Sequence, residues 1–401
     1  MNWASWADAL VRSFDKRRGP PPGPTLSDLP SPRTEWQRLA WRGLQFLVDE
    51  WRTEFRDASH TMIFPHLLGF SGDRERHDGD VFQRAIVADA LCDADEVLGG
   101  ALRPVIEREI TYLADVRLRR GVGGWSYFPT LPELPPDADD LGQVIQVFVR
   151  SGHRQLAATH AAAPLRVLFR DCTHGDGSFE TWIIPARDRS AEQERQLDAA
   201  REKWGIGPDS EVMANLLYAL TLYDAPRFAT ECLRGAQFIE RCQQSDGSWS
   251  CRWYFGPYYG TYACTRFICA LRPHAESVAR AADFIRFSQQ QDGSWSQPTA
   301  SAGDVLSTAL ALLGLAVVQP AGDVEQQDAL RARQARAWLE ANGDGDSWPS
   351  CSFIRPNALH SYGSRTITTA YVMKAALAWD RLVRGRSQAL DGTTLKGDLA
   401  E

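Results

Sequence analysis

Gln243-Gln244-Ser245-Asp246-Gly247-Ser248-Trp249 decides the fold, because it comes back. Gln289-Gln290-Gln291-Asp292-Gly293-Ser294-Trp295 repeats it, and looser copies stand at Gly123-Gly124-Trp125, Asp176-Gly177-Ser178-Phe179 and Gly345-Asp346-Ser347-Trp348. From one aromatic residue to the next the spacings are 54, 70, 46 and 53 residues, the length of a helix pair with its loops. Self-similarity at such a period marks an array of supersecondary units, each burying its neighbour's apolar face. Two copies follow a helical stretch, with Arg234, Gly235 and Phe238 before Trp249, and Arg280 and Phe284 before Trp295. The glutamine amides are expected to cap those helices and stack on the next tryptophan.

Apolar residues recur at helical spacing near 35–55, 80–98, 103–118, 140–150, 153–170, 209–223, 227–242, 259–272, 276–290, 303–318, 327–341 and 365–382. Alternate segments are the more apolar, as in Val212 to Leu222, Thr261 to Leu271 and Val305 to Val318. Twelve helices alternating in polarity predict an all-α fold, an α/α barrel with six helices inside six. Strand-like alternation is nearly absent. The barrel is expected over residues 33–384, after an N-terminal segment of 1–32 and before a polar, disordered tail of 385–401. In the first segment Trp3, Trp6, Leu10 and Phe14 lie at helical spacing, followed by Lys16-Arg17-Arg18 and a Pro-rich tether. This reads either as a helix packed on the barrel or as an interfacial membrane helix.

Composition narrows the classes of function. The 401 residues carry a net charge of −7 with no long single-sign block, which speaks against nucleic acid. Eight cysteines occur without a paired pattern and read as reduced thiols of a cytoplasmic protein. No apolar run approaches 18 residues and the N-terminus lacks a signal-peptide core.

The chemistry concentrates at Asp137-Ala138-Asp139-Asp140, reached through Gly123-Gly124-Trp125-Ser126-Tyr127-Phe128 and Pro135-Pro136. Three carboxylates in four residues cannot all ionise cheaply in one small site, so at least one holds a proton near neutral pH. The motif also opens a helix, where the dipole favours a carboxylate by roughly 0.3–1 kcal/mol. Asp137 therefore reads equally well as an N-cap. A similar cluster, Asp93-Ala94-Asp95-Glu96, lies inside a helical pattern and is expected to be a solvated face. His77-Asp78-Gly79-Asp80, before Phe82-Gln83-Arg84, reads as a surface turn with an N-cap, as a contact to a diphosphate through a metal ion, or as part of the barrel mouth. Among aromatics outside the repeat, Trp182, Trp253, Tyr258, Tyr259 and Tyr262 are candidates to line a cavity and stabilise cations.

Over about residues 105–382 these motifs, in order, resemble the class II terpene cyclase superfamily, in particular its squalene–hopene cyclase branch. The Asp137–Asp140 segment resembles the family's Asp-x-Asp-Asp acid motif. Ser210-Glu211-Val212-Met213-Ala214-Asn215 resembles its next inner helix, and Asp246–Trp253 with Tyr258–Tyr262 its aromatic segment. Ser307-Thr308-Ala309-Leu310-Ala311-Leu312 after Trp295 is similar to the following repeat. The resemblance implies an α/α barrel and cyclisation of a linear prenyl chain begun by protonation. It makes Asp139 the general acid flanked by Asp137 and Asp140, Asn215 its hydrogen-bond partner, and Trp182, Trp253, Tyr258 and Tyr259 cavity aromatics.

Three departures stand out. The family's motif usually continues Thr-Ala, where this chain has Leu141-Gly142, and Asn215 stands where a histidine is usual. Relatives also build the site between two barrels, and this chain has room for one. The reading that follows is an enzyme acting on an isoprenoid diphosphate, hydrocarbon or meroterpenoid. The rival reading is a partner-dependent or prenyl-binding barrel, completed by a second cyclase domain or another copy. No cofactor is expected, except magnesium if the substrate carries a diphosphate, for which Arg252, Arg266 and Arg365 are candidate partners. A zinc site like that of the prenyltransferase β subunits is not expected, since Cys251 and His360 lack the matching motif.

Overall fold

The computed structural model describes residues 30–298, 300–319, 324–355 and 360–397, with side chains as far as residue 385. The amphipathic segment expected near the N-terminus lies outside the described residues. Among the described residues the helices are α1 (Glu35–Arg52), α2 (Val81–Leu98), α3 (Arg103–Val116), α4 (Ala138–Arg150), α5 (Arg154–His160), α6 (Ala162–Asp171), α7 (Ala191–Ala199), α8 (Ser210–Asp224), α9 (Ala229–Arg241), α10 (Tyr258–Leu271), α11 (Glu276–Phe287), α12 (Val305–Val318), α13 (Gln326–Ala341) and α14 (Arg365–Gly397). Helices α2, α4, α8, α10, α12 and α14 touch in that order, and α14 returns to α2, closing an inner ring. The others pack outside it.

Burial separates the rings. Every residue of α12 from Val305 to Leu315 is buried, as is every residue of α2 from Val81 to Ala94. Outer α11 buries only Ser277, Val278, Ala281, Ala282 and Ile285, the stripe of an amphipathic helix.

The repeat is what clips outer helices to inner ones. Trp125, Trp249, Trp295 and Trp348 are fully buried and donate their indole N–H to Leu113, Ile239, Ile285 and Leu339 carbonyls at 2.7–2.8 Å. Those carbonyls lie in the last turns of α3, α9, α11 and α13, where no intrahelical donor remains. The backbone N–H groups of Trp249 and Trp295 donate to Thr261 and Thr308 of the inner ring at 3.2 and 3.0 Å. Indoles, not the expected glutamines, therefore satisfy the helix ends. Gln243 and Gln289 instead reach the carbonyls of Ser277 and Arg331 on the next outer helix, at 2.8 and 3.1 Å. Gly247 must be glycine, since its φ is +93° and a Cβ there would lie 2.2 Å from the Arg280 carbonyl oxygen.

Four details differ from the sequence reading. The single helix expected at 153–170 is two, because Pro164 sits in the first turn of α6, where its missing N–H is tolerated. Helix α7 was not foreseen; it buries only Gln193, Gln196 and Ala199 and rests on a Ser190–Gln193 capping box. A two-stranded antiparallel hairpin, β1 (His60–Ile63) and β2 (Arg76–Gly79), precedes α2. Helix α14 continues to Gly397, through much of the expected tail.

The acidic cluster at residues 93–96 is only in part a solvated face: Glu96 is exposed, but the inner end of the cluster is not. Asp93 is buried and bonded to Lys374, Arg150 and Arg381 at 2.8, 2.7 and 2.9 Å. Asp89 joins it, bonding the same Lys374 and Arg150. Helix α2 belongs to the inner ring, so its polar residues face the barrel interior. Burial opposes ionisation, but Lys374 and Arg150 hold Asp93 well below the usual carboxylate range.

Candidate active site

Helix α4 starts because Asp137 caps it: Oδ1 accepts the N–H groups of Asp139 at 3.0 Å and Asp140 at 2.8 Å. The Asp137 N–H is held by the Trp125 carbonyl at 3.1 Å and that of Ala138 by Thr181 at 2.9 Å. The Gly-Gly-Trp repeat thus fixes where the acidic turn sits, and all three aspartates are buried.

Asp139 faces two partners. Its Oδ2 accepts the hydroxyl of Tyr254, and its Oδ1 accepts Asn215 Nδ2 at 2.6 Å. Asn215 is fully enclosed, and its own Oδ1 accepts Gln146 Nε2 at 2.7 Å and Arg266 at 3.3 Å. Arg266 lies over the rings of Tyr218 and Tyr262, 4.1 and 5.0 Å from their centroids. Burial pushes the Asp139 carboxyl up to about 8. The hydrogen bonds from Tyr254 and Asn215 pull it down, and the charges of Asp137 and Glu211 push it further up. Burial likewise raises Asp137 to about 6 and, with the charge of Asp137, keeps Asp140 well above the carboxylate range. Near pH 7 Asp139 holds its proton.

Short partners require close helices. Gly142, one turn into α4, lies against α8: a Cβ there would come 2.7 Å from Leu216 Cα and 2.9 Å from its nitrogen. Backbone thus meets backbone beside Asn215.

A cavity of ≈ 470 Å³ stands over these carboxyls, with Asp137, Asp139 and Asp140 in its wall. Phe64, Phe82, Phe128, Trp182, Trp253 and Tyr254 are among the residues that line the rest of it. Strand β1 with the segment running on to Phe70, the stretch from Tyr127 to Leu134, and Lys203-Trp204 roof the barrel end over this cavity. Trp182 and Trp253 meet edge to face at 5.4 Å. Their indoles are anchored to the Gly205 carbonyl and Asp209 Oδ2, each at 2.8 Å. Glu211 accepts the N–H groups of Arg252 and Trp253, fixing the second ring.

Of the five aromatic candidates, Trp182 and Trp253 line this cavity. Tyr259 stands behind it, its ring 3.8 Å from that of Tyr254. Tyr258 packs on Phe284 of α11. Tyr262 lines a separate cavity of ≈ 580 Å³ among Arg266, Lys374 and Asp89. Arg266 thus lies away from the cavity over Asp139, Arg252 stacks on Trp253 outside its lining, and Arg365 pairs with Asp344 at 2.9 Å. His77 is not a surface residue: it is buried and bonded to Thr130 at 2.8 Å. Asp80 does sit at the helix start, but its carboxylate serves Tyr112 and Arg84 instead of the cap. Tyr254, Gln146 and His60 were missed. The only sequence signal for Tyr254 was its place beside Trp253.

The family model of the squalene–hopene cyclase C-terminal domain matches residues 79–349, more than half of the chain, and the chain belongs to that family. It is a member of the class II terpene cyclase superfamily. The ligand-free type II terpene cyclase MstE from Scytonema shares the fold at a TM-score of 0.64 and 18% identity, over 87% of this chain and 99% of that one. A protein from Actinoplanes gives 0.63 and 20%, over 86% and 99%. The ent-copalyl diphosphate synthase from Streptomyces platensis gives 0.51 and 22%, over 74% of this chain and 50% of that one. No curated protein sequence matches. No described helix is long and apolar enough to cross a membrane.

Proposed function

We propose that the protein is a class II terpene cyclase that folds a linear prenyl chain over Asp139 and starts cyclisation by protonating its terminal alkene or epoxide. The observation that carries this is a carboxyl kept neutral by burial at the wall of an aromatic cavity. With Oδ1 occupied by the amide of Asn215, the transferable proton belongs on Oδ2. The hydroxyl of Tyr254 beside it then steadies the carboxylate that forms. Each ring in the wall stabilises a nearby cation by about 0.5–2 kcal/mol once water is gone, without a lone pair strong enough to trap it.

The volume lies within the range of about 300–1,000 Å³ typical of small-molecule sites. Variants of MstE have been solved with geranylgeranyl dihydroxybenzoate and with merosterolic acid A. We infer a substrate of similar class here, a prenyl chain with or without a polar head. Protonation needs no cofactor, and magnesium would matter only to a diphosphate head. A roof made from the chain's own loops favours a self-sufficient enzyme over a barrel awaiting a partner. The test is incubation with farnesyl and geranylgeranyl diphosphates, squalene and a geranylgeranylated hydroxybenzoate, with product mass analysis. Cyclised product from the wild type and none from Asp139→Asn, with the fold retained, is expected. Undiminished turnover by Asp139→Asn would sink the assignment.

A further inference from the structure

A cyclisation begun by an acid must end by losing a proton or gaining water, and the wall of the same cavity carries a group suited to the first. His60 opens β1 and lines the cavity with an exposure of only 9%. Its ring lies nearly flat on Tyr362, with centroids 4.4 Å apart at 18°, and against Phe128 at 5.5 Å. Nδ1 is 2.9 Å from the Tyr127 hydroxyl, which also accepts the Gln83 amide. In the tautomer whose Nδ1–H donates to that phenol oxygen, Nε2 keeps its lone pair, and a base at Nε2 requires that tautomer. Burial, aided by the neighbouring His360, pushes the imidazole down to about 4, so it is neutral at physiological pH.

Resting on the cyclase reading above, we propose that His60 is the base that ends the reaction. Nε2 takes a hydrogen from the carbon next to the final carbocation, the C–H electron pair becomes the new double bond, and the proton stays on the ring as imidazolium. Asp139 has given one proton and His60 has taken one, so the product is an isomer of the substrate. Other groups in the wall are less fit. Lys203 spends its ammonium on the Leu68 carbonyl at 2.9 Å and the face of Phe70, Asp140 keeps its proton, and Asp137 spends Oδ1 on capping α4. A weak base suffices, because a hydrogen beside a carbocation is far more acidic than an imidazolium. The same burial that keeps the ring neutral makes its imidazolium short-lived, so the proton returns to water before the next cycle.

The experiment compares products of wild type, His60→Phe and His60→Gln on whichever prenyl substrate the wild type cyclises. His60→Phe keeps the stack on Tyr362, His60→Gln keeps a polar group for Tyr127, and thermal melts check folding of both. A wild-type alkene isomeric with the substrate, replaced in either folded variant by a hydrated product or by other alkene isomers at ten-fold or greater change in ratio, is expected. An unchanged product mixture in a folded variant overturns the proposal, as does a wild-type product that has gained water. A shift caused by His360→Phe and not by either His60 variant also overturns it. Conversion by no prenyl substrate at all sinks the cyclase reading with it, whereas conversion that depends on Asp139 and ignores His60 sinks this inference alone.

Discussion

Gln146 donates its amide to Asn215 Oδ1 at 2.7 Å, so Asn215 can turn only its nitrogen towards Asp139. An amide free to flip would offer oxygen instead and draw the acid's proton onto Oδ1, away from the substrate. Gln146→Leu is therefore expected to lower kcat by about 10- to 100-fold, a fraction of what general acid catalysis supplies, with KM little changed. Losing a donor to the carboxylate also moves the alkaline limb of the pH–rate profile upward. A profile identical to wild type would contradict this.

With Asp139 raised to about 8, activity requires its protonated form. Turnover should be flat between about pH 5 and 7 and fall tenfold per unit above about 8. Stability carries the same sign. The folded acid binds its proton more tightly than the unfolded chain, so its contribution is full in acid and is lost as pH rises towards 8. Urea unfolding of Asp139→Asn between pH 4 and 8 should show a flatter dependence than wild type.

Trp295 fills the junction of α11 and α12 and satisfies the Ile285 carbonyl. Trp295→Ala should cost about 3–5 kcal/mol in denaturant unfolding, combining a large cavity with the loss of the stronger of two donors to the Ile285 carbonyl, which keeps only the Ser288 hydroxyl. Trp36, buried between outer helix α1 and Trp379 of the inner ring, clips no repeat turn to a helix end and is expected to cost less on the same substitution.

Lys374→Met leaves Asp89 and Asp93 buried with less positive charge and should destabilise the barrel by about 3–5 kcal/mol at pH 7. In wild type, Lys374 and Arg150 hold these carboxylates low, so their contribution persists until strongly acid pH. In the variant they should protonate at higher pH, and the gap to wild type should narrow as pH falls. Urea titrations at pH 4 and 7 measure it.

The barrel was legible because its punctuation is local. Each Asp-Gly-Ser-Trp carries its own turn, and each buried indole reaches a carbonyl about ten residues back. Asp137 to Asp140 were legible for the same reason. What the sequence hid depends on depth along the barrel. Tyr258, Tyr259 and Tyr262 sit on an inner helix buried nearly all round, so periodicity could not say which faces the acid and which the opposite chamber. Asp93 misled because a charged run on an inner helix looks like one on an outer helix. His60 and Phe64 lie on and just beyond a four-residue strand, too short for its alternation to register.

Gly142 has a consequence for how the acid's partner could evolve. At Gly142, α4 and α8 meet backbone to backbone beside Asn215, and a longer imidazole at 215 is expected to overshoot Asp139. The two departures from the family pattern, glycine in place of alanine and asparagine in place of histidine, then behave as one adjustment. Gly142→Ala should wedge the helices apart and Asn215→His should jam them. The pair introduced together should lose less than the sum of the two, a coupling that a double-mutant cycle on thermal stability would register. The missing methyl group is a spacer setting, and it decides how long an arm may reach the proton.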